Sequence, residues 1–212
     1  MPVGEQRHPR SIRPLGLLLA VLVGLSLGAL AKLADQSPVL GLGDVGTHLG
    51  LWIVVVTVTS VSACSRLEAA LRCTVLMLGM VAAYYVAAYL YFRVIPLLDI
   101  AVWGIVALTA VPVLAVLLWP ARAGGWSAAL AVALSVGLLL AEALMFRHVV
   151  SLHPAPFGFD IVAAATLFWV LPRDGAQRLR AGLLAVPVTL LGGWVLSVGF
   201  GLSAGLLMRA VV

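Results

Sequence analysis

Charge is scarce in this sequence. Asp, Glu, Lys and Arg make up 10% of its 212 residues, where soluble domains carry about 25%. A chain this poor in charge cannot clothe a surface for water, which excludes an ordinary soluble fold. Cysteine is scarcer still. Cys64 and Cys73 are the only two, and they give neither a disulfide framework nor a metal pattern. Both fall beside a connection assigned below to the cytoplasmic side, where thiols stay reduced. Phosphate loops, nucleophile elbows, protease signatures and metal motifs are missing, and no cofactor is expected. No internal repeat relates the two halves, which weighs against a symmetric secondary transporter. The formal charge of +5 does not point to nucleic acid, because the arginines stand singly between apolar runs. In a membrane protein such charges report orientation.

What the chain has is apolar length. Hydrophobic residues make up 63% and mean hydropathy is +1.16, so the lipid bilayer is the expected surrounding. The length suits about seven spans of roughly 20 residues, which leaves no room for a separate soluble domain. Breaks in hydropathy place them near 15–34, 48–65, 72–93, 99–119, 126–148, 157–172 and 181–208. Runs this long and unalternated exclude a β-barrel. The expected fold is an all-α integral membrane bundle of about seven transmembrane helices. Residues 1–14 would form a basic cytoplasmic tail and 15–212 a single transmembrane domain. The first apolar run lasts about a full span with no small-x-small cleavage site before Lys32, so it reads as a retained helix rather than a signal peptide.

The basic residues choose the sides. Arg7, Arg10, Arg13, Arg66, Arg72, Arg122, Arg173, Arg178 and Arg180 fall on one set of alternating connections; Lys32, Arg93, Arg147 and Arg209 fall on the other. This bias predicts a cytoplasmic N-terminus and an outer C-terminus, in a bacterial inner membrane. Trp119, Trp126 and Trp169 would form the inner aromatic belt. Pro112 and Pro187 are expected to kink the fourth and seventh helices. Small residues recur every fourth position at Ala20, Gly24 and Gly28, and again at Ser197, Gly201 and Gly205. Such stripes let helices approach closely, either within the chain or against a partner helix.

One residue stands out. Glu142 interrupts the run "SVGLLLAEALMF", and a carboxylate at membrane depth costs several kcal/mol unless it is paired, protonated or wetted. Counting about 1.5 Å per residue, Glu142 lies about 24 Å above the inner boundary, level with Tyr89. Tyr85, Tyr89 and Arg93 are spaced four apart and share a helix face. Trp52 and Trp103 sit at a similar level from the other direction, and Asp99, His48, Arg147, His148, His153 and Asp160 crowd the rim above. Arg147 is five residues on from Glu142 and does not share its face, so the partner must come from another helix. Arg93 is the leading candidate; otherwise Glu142 stays neutral. The plainer reading makes the aromatics a belt, the arginines snorkelling side chains and any Glu–Arg pair a packing staple. The histidine spacing matches no ligand motif, so no metal is expected.

Four stretches, "HLGLWIVVVTV", "RLEAALRCTVLMLGMVAAYYVAAY", "AEAL" and "LPRDGAQRLRAGLLAVPV", resemble a family of small bacterial multi-pass proteins known as a domain of unknown function. Trp52, Tyr84, Tyr85 and Glu142 match its pattern. The resemblance implies an integral membrane protein and no activity. Three functions then compete. The first is a protein that binds or translocates a small molecule through an outward-facing pocket around Glu142, with Tyr85, Tyr89, Arg93, Trp52, Trp103, Phe146 and His153 as ligand contacts. Its first-helix stripe is loosely similar to the substrate-binding subunits of energy-coupling-factor importers, although a seventh span counts against that comparison. The second is an intramembrane enzyme in which Glu142 and Asp99 protonate a prenyl-type substrate and aromatic faces steady a carbocation, as in terpenoid cyclases. The third is an assembly or immunity partner, its helix contact made through Ala20, Gly24 and Gly28.

Overall fold

A long apolar run in lipid has no water to satisfy its backbone, so it closes its own hydrogen bonds as helix. The computed structural model follows that rule through the residues it describes, 13–37, 43, 48–147, 150 and 154–210, with the backbone course alone for 199–210. Its helices are α1 (Pro14–Asp35), α2 (Leu49–Ser62), α3 (Arg66–Phe92), α4 (Leu97–Leu108), α5 (Ala110–Leu118), a 3-10 turn (Trp119–Arg122), α6 (Gly125–Phe146), α7 (Pro154–Val170) and α8 (Gly175–Ala210). Among the described residues there is no strand. Five helical segments are long and apolar enough to cross a membrane: α1, α3, the run Leu97–Arg122, α6 and α8 to Val198. Two apolar helices, α2 and α7, are shorter. The outward faces are greasy, as Leu183, Val186, Leu190 and Trp194 along α8 show. This is the build of a multi-pass membrane protein. Arg7, Arg10, His148 and His153 lie outside the described residues, as do the side chains of Gly201 and Gly205.

The helices gather in two groups with α2 between them. On one side α1 lies along α3. Ala20, Gly24 and Gly28 are buried, and a Cβ added at Gly24 or Gly28 would come within 2.2 Å of the Leu76 or Met80 carbonyl oxygen. The small-residue stripe is therefore used inside the chain, where it lets two backbones meet. On the other side α6 is buried along most of its length by Ala128, Ala129, Ala131, Ala133, Gly137 and Ala141, and packs against α7 and α8. Helix α2 joins the two cores. Its Ile53 belongs to the α6–α8 core and its Val56 to the α1–α3 core. The Thr57 hydroxyl lies 3.1 Å from that of Ser135 on α6, and the Ser60 hydroxyl 3.3 Å from the Cys73 sulfur on α3.

Proline acts differently at its two interior positions. Pro112 cannot donate to the Leu108 carbonyl, and the fourth segment breaks at Thr109, with φ −116° and ψ −66°. At Pro187 α8 continues without interruption. At the Ser62 end of α2, three tryptophans each carry a guanidinium over the ring: Arg66 on Trp119 at 5.7 Å, Arg180 on Trp126 at 5.1 Å and Arg178 on Trp169 at 4.9 Å. The three rings expected to form one belt are thus paired with arginines of the basic set.

Candidate functional site

Helix α2 has 14 residues, about 21 Å against a hydrocarbon core of about 30 Å. Its first N–H groups have no partner within the helix and need an acceptor. Glu142 supplies it from α6: the Leu49 N–H donates to Oε1 at 3.0 Å. A carboxylate also suits the positive end of the helix dipole. The Gly50 N–H also turns toward the same carboxylate.

The residue just before α2, His48, completes the site. Its Nδ1 lies 3.0 Å from Glu142 Oε1 and its Nε2 lies 2.8 Å from Asp160 Oδ2 on α7. The edge of Phe146 closes over the imidazole at a ring separation of 5.0 Å. All three polar residues are buried: His48 is 4% exposed, Glu142 5% and Asp160 0%. Gly50 makes room, because a Cβ there would sit 1.9 Å from Asp160 Oδ1.

Proton counting shows what this cluster lacks. The hydrogen bond between His48 and Asp160 needs one proton, whichever atom holds it. With that proton alone the three groups carry a net charge of −2, and two further protons bring them to zero. Among the described residues, Glu142 Oε2 and Asp160 Oδ1 are buried with no hydrogen-bond partner. The cluster is thus short of positive charge and of donors at the same two oxygens.

This arrangement corrects the expected partner of Glu142. Arg93 caps the end of α3 in a left-handed conformation, with φ 57°, and its guanidinium lies 5.8 Å over the Tyr89 ring. The group paired with Glu142 is His48. Asp160 and His48, placed on the rim by depth counting, are both interior.

The aromatic residues gather elsewhere. Trp52, Tyr84, Tyr85 and Trp103, with Met77, Met80 and Val81, line a partly open cavity of about 120 Å³. Trp52 points to the α3 side of α2, whereas Leu49 and Gly50 meet Glu142 and Asp160 on the α6–α7 side. Glu142 does not line this cavity, so the acid and the aromatics are not in one chamber. Tyr89 is 41% exposed and turned outward. Asp99 is exposed in the first turn of α4, close enough to Tyr84 and Tyr85 for its charge to act there. Sequence reasoning passed over Lys32. It is buried, lies 2.5 Å from the Asp35 carboxylate and stands 5.1 Å over the Tyr84 ring and 4.8 Å over Phe92. The Tyr84 hydroxyl donates to Asp35 at 3.3 Å. A single lysine inside an apolar run was the available signal.

The chain belongs to the family of unknown function DUF6518, whose family model matches residues 7–204. No curated protein and no solved structure matches the chain.

Proposed function

We propose that this chain is a seven-span membrane protein that binds a small organic molecule in the Trp52–Tyr84–Tyr85–Trp103 cavity. The cavity itself carries the reading. Small residues bring α1 into direct contact with α3, but here four aromatic rings line a gap of about 120 Å³. Aromatic faces attract cations. The Lys32–Asp35 pair is internally neutral, so the exposed Asp99 carboxylate is the uncompensated charge beside the rings. The best-fitting ligand has an apolar body and one positive end. Acid-initiated cyclisation would need Glu142 inside the aromatic chamber, and the cavity lining favours binding instead.

The topology proposed with this function has all seven helical segments crossing the membrane, the N-terminus cytoplasmic and the C-terminus outside, in a bacterial inner membrane. The arginine–tryptophan pairs at the Ser62 end of α2 support it, because both residue types favour that interface. Reporter fusions at positions 122, 153 and 212 should read inside, outside and outside. The binding test is a thermal-shift screen in detergent of organic cations against neutral isosteres. Cations should stabilise the wild type, and Trp52→Ala and Tyr85→Ala should abolish the shift while both proteins stay folded. Equal shifts from neutral isosteres would remove the role of Asp99. Shifts unchanged in both variants would remove the cavity as the site.

A further inference from the structure

We infer that His48, Glu142 and Asp160 form a binding site for one transition-type divalent cation, with Zn²⁺ and Mn²⁺ as the fitting ions. The three side chains come from the start of α2, from α6 and from α7. One ligand atom from each, all within 4.8 Å of one another, could hold an ion. This site is distinct from the aromatic cavity and does not depend on what binds there.

Three independent observations converge. The first is charge. Two carboxylates and a neutral imidazole carry −2, which a divalent ion cancels. A buried site of low dielectric strongly favours the cancelled state. The second is the pair of buried oxygens, Glu142 Oε2 and Asp160 Oδ1, that have no partner among the described residues. Their side chains are 6% and 0% exposed, so a ligand rather than bulk water is the natural occupant. The third is the ligand chemistry. Imidazole with carboxylate suits zinc or manganese, while all-oxygen sites suit magnesium and calcium. A ring nitrogen and an oxygen bound to one ion at about 2.1 Å each stand about 3.0–3.4 Å apart, and His48 Nδ1 and Glu142 Oε1 are 3.0 Å apart.

The ion replaces protons, and the balance is explicit. The incoming M²⁺ takes the His48 Nδ1 lone pair and carboxylate oxygens, and the protons that neutralise the cluster beyond the one shared by His48 and Asp160 leave to solvent. At least one proton is released per ion bound, so affinity rises with pH over the range in which the cluster loses protons.

The test uses the full chain, purified in detergent without a histidine tag and stripped with chelator. Equilibrium dialysis with elemental analysis should find one Zn²⁺ or Mn²⁺ per chain, with Mg²⁺ and Ca²⁺ binding at least tenfold more weakly. His48→Gln, Glu142→Gln and Asp160→Asn should each weaken Zn²⁺ binding at least tenfold. Calorimetry in buffers of different ionisation enthalpy should show release of one to two protons per Zn²⁺. This wild-type measurement decides the matter even where a cluster variant fails to fold. Absence of stoichiometric binding would overturn the proposal, and so would binding without proton release or binding that survives in a folded Glu142→Gln protein. A cluster that titrates protons only is the outcome that replaces it.

Discussion

Two glutamates are buried at opposite ends of this bundle, and they are buried in different ways. Glu68, in the first turn of α3, is 1% exposed, and Glu142, near the end of α6, is 5% exposed. Both oxygens of Glu68 are used: Oε1 takes the Arg72 guanidinium at 2.6 Å and the Arg13 N–H at 3.3 Å, and Oε2 takes the Cys64 N–H at 2.7 Å. Ser65 returns the arrangement by accepting the Glu68 N–H at 3.1 Å, so the carboxylate belongs to a helix cap with its own counter-charge. Among the described residues, Glu142 uses Oε1 alone, shares its histidine with a second carboxylate and has no recorded ion pair with a guanidinium. Burial is common to both, so it cannot mark a functional site. Saturation separates them. A satisfied carboxylate closes a structure, and an unsatisfied one leaves a place for something else.

The same substitution at each end breaks or sharpens that contrast. Glu68→Gln should have the largest effect. An amide cannot accept from Arg72, Arg13 and Cys64 together, and one of its N–H groups must face a donor. Breaking a buried ion pair costs about 3–5 kcal/mol, and a loss of about 3 kcal/mol is expected from thermal unfolding in detergent. Arg72→Gln added to it should return part of the loss, because the stranded cation goes too. A loss below about 1 kcal/mol would make Glu68 an ordinary interfacial carboxylate.

Gly50→Ala comes next and strikes the other end. The new methyl would collide with Asp160 Oδ1, and Asp160 is wholly buried with little space to retreat. Overpacking of this kind costs about 1–3 kcal/mol. Zn²⁺ binding should weaken with it, since Asp160 is displaced from His48. Unchanged binding would show that Asp160 is dispensable to the cluster. Ser65→Ala is smaller, about 1 kcal/mol for a lost N-cap, and should leave the Leu49 end of α2 and its ion binding untouched.

These tests also mark what could be read from the chain and what could not. The seven apolar segments were legible because each long run forces helix on itself, a local matter. Glu142 was legible as an oddity for the same reason, and Trp52, Tyr85 and Trp103 fell together because depth along a helix is simple arithmetic. Direction around the helix was not available. Tyr85 and Tyr89 share a face by spacing, yet one lines the cavity and the other is turned outward, because neighbouring helices enclose only the first. His48 and Asp160 were visible but unconnected, being 112 residues apart in the chain. Only the packing of α2 between α6 and α7 joins them. Ser65-Arg66-Leu67-Glu68 was a legible capping box that went unread, since it carries no unusual chemistry.

The smallest expected effect is the most discriminating. In Glu142→Gln, the amide oxygen can keep both roles of Oε1, accepting the Leu49 N–H and facing His48 Nδ1. The change removes one of two negative charges flanking a single imidazole, which relieves the cluster's excess. Against this stands the exchange of charge-assisted hydrogen bonds for neutral ones and a buried amide N–H group where Oε2 was unpartnered. The terms oppose each other, and the chelator-stripped variant should unfold within about 1 kcal/mol of wild type. Added Zn²⁺ should then raise the melting temperature of the wild type and leave the variant where it was, because the stabilisation follows from ion binding to the folded state alone. Glu68→Gln should show the reverse pattern, a large loss in the stripped protein with the zinc response intact. If Glu142→Gln instead costs as much as Glu68→Gln with no zinc response in either protein, Glu142 is a second cap and the contrast between the two ends disappears.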